Sequence, residues 1–447
     1  MGAAANSLEA WGDGLARHCA AKLTRCISAT SLVMQRPGFG QTVRPAIGSV
    51  LASPAASLGP SEPDYFFHWV RDSAAVMEAV RILATRESPA GAWTARFDEI
   101  AGFSLDLRKI DGRRFLRETD FRATTQPWFQ QYLRADDEIA AVFDGRVAGD
   151  VRYNADGTLD FIQWNRPQHD GPAHRALAGM RFEESGLALG AEAKRGLAEL
   201  IDHDLRYTAD HAGSPCYDIW EEEYAQHYCT VLVQLAALEK GAARAGRAGE
   251  AALAGQLGGR AATLRHLLDG FWSPGLGAYR SRLPGPEGDG PKALDFAVIL
   301  GAVHAGLEGG AHSVRDVRVQ RTFDKLEALF AAEYAINRGR SNGISFGRYK
   351  GDTYMSGGAY YFSTFGAAEF CYRLARAEAN KRETSLAKGD AILSRVLDFV
   401  PPSGDLSEQF DQTTGAQTSA KDLSWSYASF ITAWHARRLA LAQSAPA

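Results

Sequence analysis

Apolar residues return at helical spacing along nearly the whole chain. Val76, Val80 and Leu83 stand at i, i+4 and i+7, as do Val231, Leu235 and Leu238, while Leu253, Leu257, Leu264 and Leu268 continue a single stripe. Residues so spaced share one face of an α-helix, and that face needs a partner to bury it. The pattern predicts about twelve helices, near 8–27, 72–86, 95–109, 172–181, 193–209, 219–243, 248–271, 293–306, 316–337, 359–379, 385–399 and 424–443. Strands do not alternate with them as a parallel sheet would require. By length alone, 447 residues could make two or three domains. No composition break or low-complexity linker divides them, so the expectation is one all-α toroid spanning 1–447.

Between the helices lie long connections, at 41–70, 144–171, 273–292, 340–358 and 400–422, rich in Gly, Pro, Asp and aromatics. Connections this long usually carry function. One stretch, RYNADGTLDFIQWN (152–165), places an Asp156-Gly157 turn signal between β-prone residues and predicts a small hairpin. The net charge of −4 and the lack of a basic stripe argue against a nucleic-acid partner. Nothing approaches the roughly 18 apolar residues of a membrane span. The first residues lack a charged n-region and an apolar h-region, which fits a cytoplasmic chain, or a periplasmic or secreted one already trimmed. Five cysteines, an odd number without a CxxC pair, point to buried thiols, not disulfides or zinc. Phosphate-loop, HExxH, GxSxG and EF-hand patterns are missing, so no metal or organic cofactor is expected.

What remains is acids among aromatics and arginines. The clusters are PDYFFHWVRDSA (63–74), QWNRPQHDGPAHR (163–175), DIWEEEY (218–224), GRYKGDTYMSGGAYYF (347–362), and LSEQFD (406–411) followed by SAKDLSWSYAS (419–429). Sugar chemistry needs this mixture. Aromatic faces stack on the C–H face of a pyranose, and Asp and Arg make charge-assisted hydrogen bonds to ring hydroxyls. Two further carboxyls, one protonated and one ionised, cleave a glycosidic bond.

Each cluster also has a plainer reading. DIWEEE could open a helix, with Asp218 as N-cap and Glu221 as capping-box partner. Capping favours a carboxylate, whereas a general acid must hold its proton near working pH. Successive helical positions fan about 100° apart, so the three acids cannot share one task, and a neighbouring charge helps keep a proton on one of them. Arg71 and Asp72 could be a surface pair at a helix start, Glu408 a loop acid, and Trp164 and Trp425 core aromatics. His68, His169, His174 and His304 read as structural histidines, with His169 also placed to line a rim.

At these clusters the chain resembles the glucoamylase family, the fungal-type glucan α-glucosidases. The resemblance rests on ASPAASLGPSEPDYFFHWVRDSA, WNRPQHDGPAHRA, DIWEEE, GRYKGDTY and LSEQFDQTTGAQTSAKDLSWSYA, in order from about residue 47 to 435. It implies a six-hairpin (α/α)6 barrel with a pocket among the loops at one end. Carried over residue by residue, it makes Glu221 the general acid and Glu408 the catalytic base. Arg71 and Asp72 would grip the terminal glucose, with Trp164 as platform, Trp425 as pocket wall, and Tyr65, Arg348, Asp352 and Glu222 completing the substrate set. Two positions depart from the family pattern. Its Asn-Pro-Trp reads Gly358-Ala359-Tyr360, and Asp160 stands where a tyrosine is usual. A slimmer wall at Tyr360, a backbone loosened by Gly357-Gly358 and a carboxylate at Asp160 would favour α-1,6 bonds at the second sugar.

The resulting expectation is a monomeric, exo-acting, inverting glucosidase that releases β-glucose from α-glucan ends. It would have no separate starch-binding domain and no nucleic-acid or membrane partner. A trehalase or an isomalto-oligosaccharide- or dextran-preferring enzyme on the same fold, a non-catalytic sugar-binding toroid, and a barrel lyase or epimerase with a Tyr/His/Arg cluster are the alternatives.

Overall fold

The computed structural model describes residues 2–56, 62–86, 91–285, 288–340 and 343–442. Parts of the first motif and of two connections, at 57–61, 286–287 and 341–342, and the last residue of the helix predicted over 424–443, lie outside them. Among the described residues twelve helices have nine or more residues: α1 (Gly2–Cys26), α2 (Val70–Ala84), α3 (Gly91–Asp106), α4 (Asp170–Glu184), α5 (Ala191–Asp210), α6 (Tyr228–Arg247), α7 (Ala251–Asp269), α8 (Ala297–Ala305), α9 (Val317–Glu333), α10 (Tyr361–Ala377), α11 (Arg382–Val396) and α12 (Ser424–Ala442).

The even-numbered helices form a closed inner ring, α2 on α4, α4 on α6, α6 on α8, α8 on α10, α10 on α12 and α12 back on α2. The odd-numbered helices pack outside, each against a sequence neighbour, and α1 against α12. This is the six-hairpin α/α barrel. Burial explains which helix goes where. Inner α10 buries 14 of its 17 residues, whereas outer α7 buries only Leu257, Ala261, Leu264 and Leu268. An all-round apolar helix must sit inside, and a one-stripe helix needs only one neighbour. Small residues let the inner helices approach: a Cβ on Gly301 of α8 would lie 3.0 Å from Cys229 Cα of α6.

Each inner helix therefore starts at the same end of the barrel, and the segments leading into them gather there. Short antiparallel pairs brace these segments. Phe67–Trp69 pairs with Arg152–Asn154, Cys216–Tyr217 with Tyr224–Ala225, and Gln409–Phe410 with both Ala359–Tyr360 and Gln417–Thr418. The hairpin expected in 152–165 is reduced to a Tyr153–Leu159 bridge, because 152–154 spends its ladder on 67–69.

Two features differ from the sequence pattern. The helix expected from 219 begins only at Tyr228. The stretch between α3 and α4, left without helices by the periodicity, holds short ones at Gly112–Glu118, Phe121–Thr124 and Asp136–Ala140. They close over a separate apolar cluster that includes Phe103, Phe121, Leu133, Ile139, Val142, Val147, Leu159 and Phe161. The five cysteines are buried free thiols. No described helix is long and apolar enough to cross a membrane.

Leu264 sits fully buried on the single inward stripe of α7. Leu264→Ala should cost about 2–5 kcal/mol through lost transfer energy and a cavity, read as a lower urea midpoint. kcat/KM per folded molecule should not change, since the residue belongs to an outer helix and faces the barrel wall, not its interior.

Candidate active site

Ten of the eleven residues expected at the site line one cavity of about 670 Å³ at the loop end of the barrel: Tyr65, Arg71, Asp72, Trp164, Glu221, Glu222, Arg348, Tyr360, Glu408 and Trp425. The run Asp218–Glu223 is a tight loop closing a two-stranded hairpin. Asp218 accepts from the backbone N–H groups of Glu222 (2.7 Å) and Glu223 (2.9 Å), and Glu221 N–H donates to Asp218 O at 2.9 Å. Glu221 itself has φ +65°, a left-handed conformation that costs a side-chain-bearing residue about 1–3 kcal/mol. Asp218 is thus a cap, as its plainer reading held, but of a turn and not of a helix.

The turn sends its three acids in three directions. Glu221 enters the cavity, where Oε1 accepts from Trp69 Nε1 (2.9 Å) and Arg71 (3.0 Å) and Oε2 accepts from Trp164 Nε1 (2.5 Å). Glu222 meets Arg348 (2.9 Å), Tyr349 Oη (2.6 Å) and Lys292 Nζ. Burial would raise its pKa, but these partners hold it below the usual carboxylate value. Glu223 turns away to Arg282, at 3.0 Å.

Glu408 comes from the segment before α12, directly before the central strand of the three-stranded sheet, with its N–H on Ala420 O (2.8 Å) and its carboxylate accepting from Ser419 Oγ. Burial pushes its pKa up to about 7; the Ser419 hydroxyl and Arg348 pull down, and Asp72 and Glu221 push further up. Asp72 is raised to about 6, again by burial, with Arg71 opposing. Arg71 does not pair with its chain neighbour. It is buried and shared among Gln168 (2.8 Å), Asp170 at the start of α4 (3.1 Å) and Glu221, which removes the surface-pair reading.

Aromatic rings make the walls. Trp425 stacks on Phe362 with centroids 4.2 Å apart, and the Arg71 guanidinium lies 5.7 Å over its ring. Trp164, one-third exposed, carries Arg152 on its face at 3.8 Å. Tyr65 Oη meets Tyr354 Oη at 2.7 Å.

Several expectations need correction. Asp352 does not line the cavity. It lies behind Arg348 and fixes that guanidinium through two hydrogen bonds of 2.6 and 2.5 Å. Tyr360 lines the cavity from a buried position, with its hydroxyl donating to Asp352 (3.2 Å) and accepting from Gln409 (2.8 Å), so it is an inner support of the arginine and not an exposed outer wall. Gly357 and Gly358 do not loosen the chain: a Cβ on either would fall within 2.1 Å of Asp352 O or 2.3 Å of Phe410 O. Asp160 is fully buried under Trp164, bonded to Arg152 and Arg166 at 2.7 Å each. Burial opposes its ionisation, yet the two arginines bring its pKa down to about 2. His169 is buried on Tyr207 Oη (2.7 Å), not at a rim, and burial depresses His68, His169 and His174, leaving them neutral.

Other residues belong to the site although no sequence signal singled out their roles. Trp69 and Asp170 sit inside quoted motifs, but their bonds to Glu221 and Arg71 span 152 and 99 positions. Asp295 accepts from Trp220 Nε1 through both oxygens (3.0 and 2.9 Å), and burial lifts its pKa to about 8. Among the described residues no three His, Cys, Asp or Glu side chains are placed to hold a metal ion.

Comparison with known proteins agrees with this geometry. The glycosyl hydrolases family 15 model matches residues 36–104, 149–389 and 380–435. The chain belongs to glycosyl hydrolases family 15. This family 15 chain is a glycoside hydrolase of the glucoamylase type. It is similar to the glucoamylase of Blastobotrys adeninivorans, with 29% identity over 457 residues, covering 87% of this chain and 68% of that one. Glucoamylase 1 of Rhizopus oryzae is 28% identical over 436 residues, covering 87% and 67%. Among solved structures, the family 15 glucoamylase from Hypocrea jecorina superposes with a TM-score of 0.77 at 23% identity, over 96% of this chain and 72% of that one. The glucoamylase from Saccharomycopsis fibuligera does so with a TM-score of 0.77 at 21%, over 98% and 96%. At such identities these likenesses speak for the barrel. The match to the family leaves residues 105–148 uncovered, the stretch that builds the separate apolar cluster.

Asp160→Asn should leave Arg152 buried without a counter-charge and cost about 3–5 kcal/mol of stability. A chemical-denaturation midpoint tests this. An unchanged midpoint together with an altered KM would return Asp160 to the substrate side.

Proposed function

We propose that this chain is an exo-acting, inverting α-glucosidase that releases β-glucose from the non-reducing ends of α-glucans, working as a monomeric, single catalytic unit over 1–447. The observation that carries the reading is the placement of Glu221 and Glu408, from loops 187 positions apart, in one aromatic-walled cavity with Arg71, Asp72 and Arg348. Its volume falls within the range of about 300–1,000 Å³ usual for small-molecule sites. The glucoamylase relatives support the substrate class.

In this reading Glu221 protonates the leaving oxygen. Its Oε1 already takes two donors, while Oε2 takes only Trp164. A proton on Oε2 leaves that oxygen's lone pair for the indole N–H and directs the O–H into the cavity. Glu408 removes a proton from the water attacking the opposite face, so no covalent intermediate forms. A base poised near neutrality suits both proton removal and return. Arg71, Asp72 and Arg348 hold the terminal ring by charge-assisted hydrogen bonds, and Trp164 and Trp425 supply faces for its C–H groups.

The same cavity weighs against the alternatives. A non-catalytic toroid would not need both acids in the cavity. A lyase would need a histidine there, and none of the cavity-lining residues is one. Of the features invoked for an α-1,6 bias, Asp160 is buried on two arginines and Gly357-Gly358 are close-packed, which leaves Tyr360 as the one altered position on the cavity wall; α-1,4 bonds are the proposed preference. Parallel glucose release from maltose, isomaltose, trehalose, starch and dextran tests the substrate class, with starch and maltose expected to lead. Dominant turnover of trehalose or dextran would overturn it.

Glu221→Gln and Glu408→Gln should each lose about 10²–10⁴-fold in kcat while keeping the fold. Turnover above about a tenth of the parent would remove that residue from the role.

The base must be ionised to act, so kcat/KM should fall as pH drops below about 7, the value to which burial lifts Glu408. Ser419→Ala removes the hydroxyl that favours the carboxylate and should move this acid limb to higher pH. A limb near pH 4 that ignores Ser419 would contradict the assignment of Glu408.

A further inference from the structure

The end of the barrel opposite the mouth holds a second cavity of about 210 Å³, set toward the ends of the inner helices α2, α4, α10 and α12. Its charged lining is Glu78 and Arg81 of α2, Arg181 of α4, and Glu369, Arg373 and Arg376 of α10. Four arginines thus face two glutamates, and none of these groups lines the cavity at the mouth. Both acids are already engaged. Glu78 accepts from Arg81 at 2.6 and 3.2 Å and lies 4.0 Å from Arg181. Glu369 accepts from Arg373 Nε (2.8 Å) and Thr432 Oγ1 (2.6 Å), with Arg373 Nη2 also at 2.6 Å. Arg376 is exposed and, among the described residues, has no hydrogen bond or ion pair.

The fold holds like charges together here. Gly306 follows α8 with φ +63°, and a Cβ on it would lie 2.8 Å from Arg181 Nη2 and 3.2 Å from Arg373 Nη1. A glycine lets two guanidiniums from different helices close on the same point. Burial depresses the pKa of Arg181; Glu78 opposes, and Arg373 and Arg81 depress it further. Its positive charge is therefore under-compensated. His435 adds no charge, since burial and the nearby Arg86 and Arg81 lower its pKa to about 4. Its Nδ1 accepts from Arg86 at 3.0 Å, so the neutral ring carries its proton on Nε2, one more donor on a lining residue. A simpler role for arginine at this end is to satisfy helix carbonyls. Arg181 does so through His304 O (2.8 Å) and Ala305 O (3.0 Å), but among the described residues no such bond accounts for Arg373 or Arg376.

We propose that this far-end cavity binds a small phosphate-bearing anion among Arg181, Arg373 and Arg376. A guanidinium fork matches two oxygens of a tetrahedral oxyanion, and converging forks match a dianion. The excess of two arginines over glutamates balances such a dianion. The volume is several times the roughly 30 Å³ share of one water, which leaves room for phosphate with or without a sugar attached. A recessed cavity of this size does not suit a nucleic-acid strand or a membrane surface, which call for a spread basic face. The bound anion joins α4 to α10 across the far end of the barrel and stabilises the folded chain by mass action. The site stands apart from the glucosidase reading and does not depend on it.

Calorimetric titration of the full chain with inorganic phosphate, at an ionic strength fixed with chloride, tests the site, beside titrations with glucose 6-phosphate and glucose. One phosphate should bind per chain, and saturating phosphate should raise Tm above its value in chloride. Arg376→Ala should weaken binding about tenfold, as the loss of one charge-assisted hydrogen bond predicts. That position is exposed and unpaired, so Tm without phosphate should not move. Arg373→Gln should weaken binding as well; if it fails to fold, Arg376→Ala alone decides. Tighter binding of glucose 6-phosphate than of phosphate, weakened by the same variants, supports a sugar phosphate as the occupant, and equal or weaker binding supports inorganic phosphate. Glucose 6-phosphate binding that ignores the variants and is displaced by glucose would place that ligand in the mouth cavity and overturn its assignment here. No saturable phosphate binding and no Tm shift beyond chloride would overturn the proposal, as would phosphate binding that both variants leave unchanged.

Discussion

Arg71 enters at the first turn of inner helix α2, and its guanidinium is shared by Asp170 at the start of α4 and Glu221 on the loop before α6. Three successive members of the inner ring are thereby tied together at their mouth end by one buried cation. A buried charge is expensive unless it is paired and hydrogen-bonded, so Arg71 holds these segments in one relative placement. Glu221, with its left-handed backbone, depends on that placement. Trp69 and Trp164 complete the cage from the neighbouring loops, and Arg152 with Asp160 supports Trp164 from beneath.

The acids of the site fall into two groups by their partners. Glu222 and Asp160 lie against arginine or lysine and are held ionised. Glu408, Asp72 and Asp295 are buried with weaker compensation, and their pKa values rise into the range where protons exchange near neutrality. A fold that keeps some carboxylates as fixed charges and lets others titrate has the elements acid–base chemistry requires. The run of three glutamates makes the point within one turn, since each meets a different set of partners.

The barrel was legible because its cause is local. Apolar stripes at helical spacing mark twelve helices, and every one of them formed. The site was legible through its motifs, ten of whose residues share the cavity. Sequence could not reveal direction. DIWEEE has the composition of a helix start, but the strained φ at Glu221 and the Asp218 turn depend on contacts with Arg71, Trp69 and Trp164 from distant loops. Asp160 and Tyr360 looked like substrate-facing changes because they replaced expected residues. Arg152 and Arg166 turn Asp160 inward, and Asp352 and Gln409 take the Tyr360 hydroxyl on the cavity wall, which a linear pattern does not encode. The 105–148 stretch escaped because its helices are too short to show a period and its cluster draws on residues from both sides of it.

Inversion requires water to attack one face of the sugar while the leaving group is protonated on the other. Proton NMR of the glucose first released from a maltodextrin, recorded before mutarotation mixes the anomers, tests this directly. The two-glutamate displacement predicts that the β-anomer signal appears first and the α-signal grows in later. Initial appearance of the α-anomer would show retention through a covalent intermediate and contradict the roles of Glu221 as general acid and Glu408 as base.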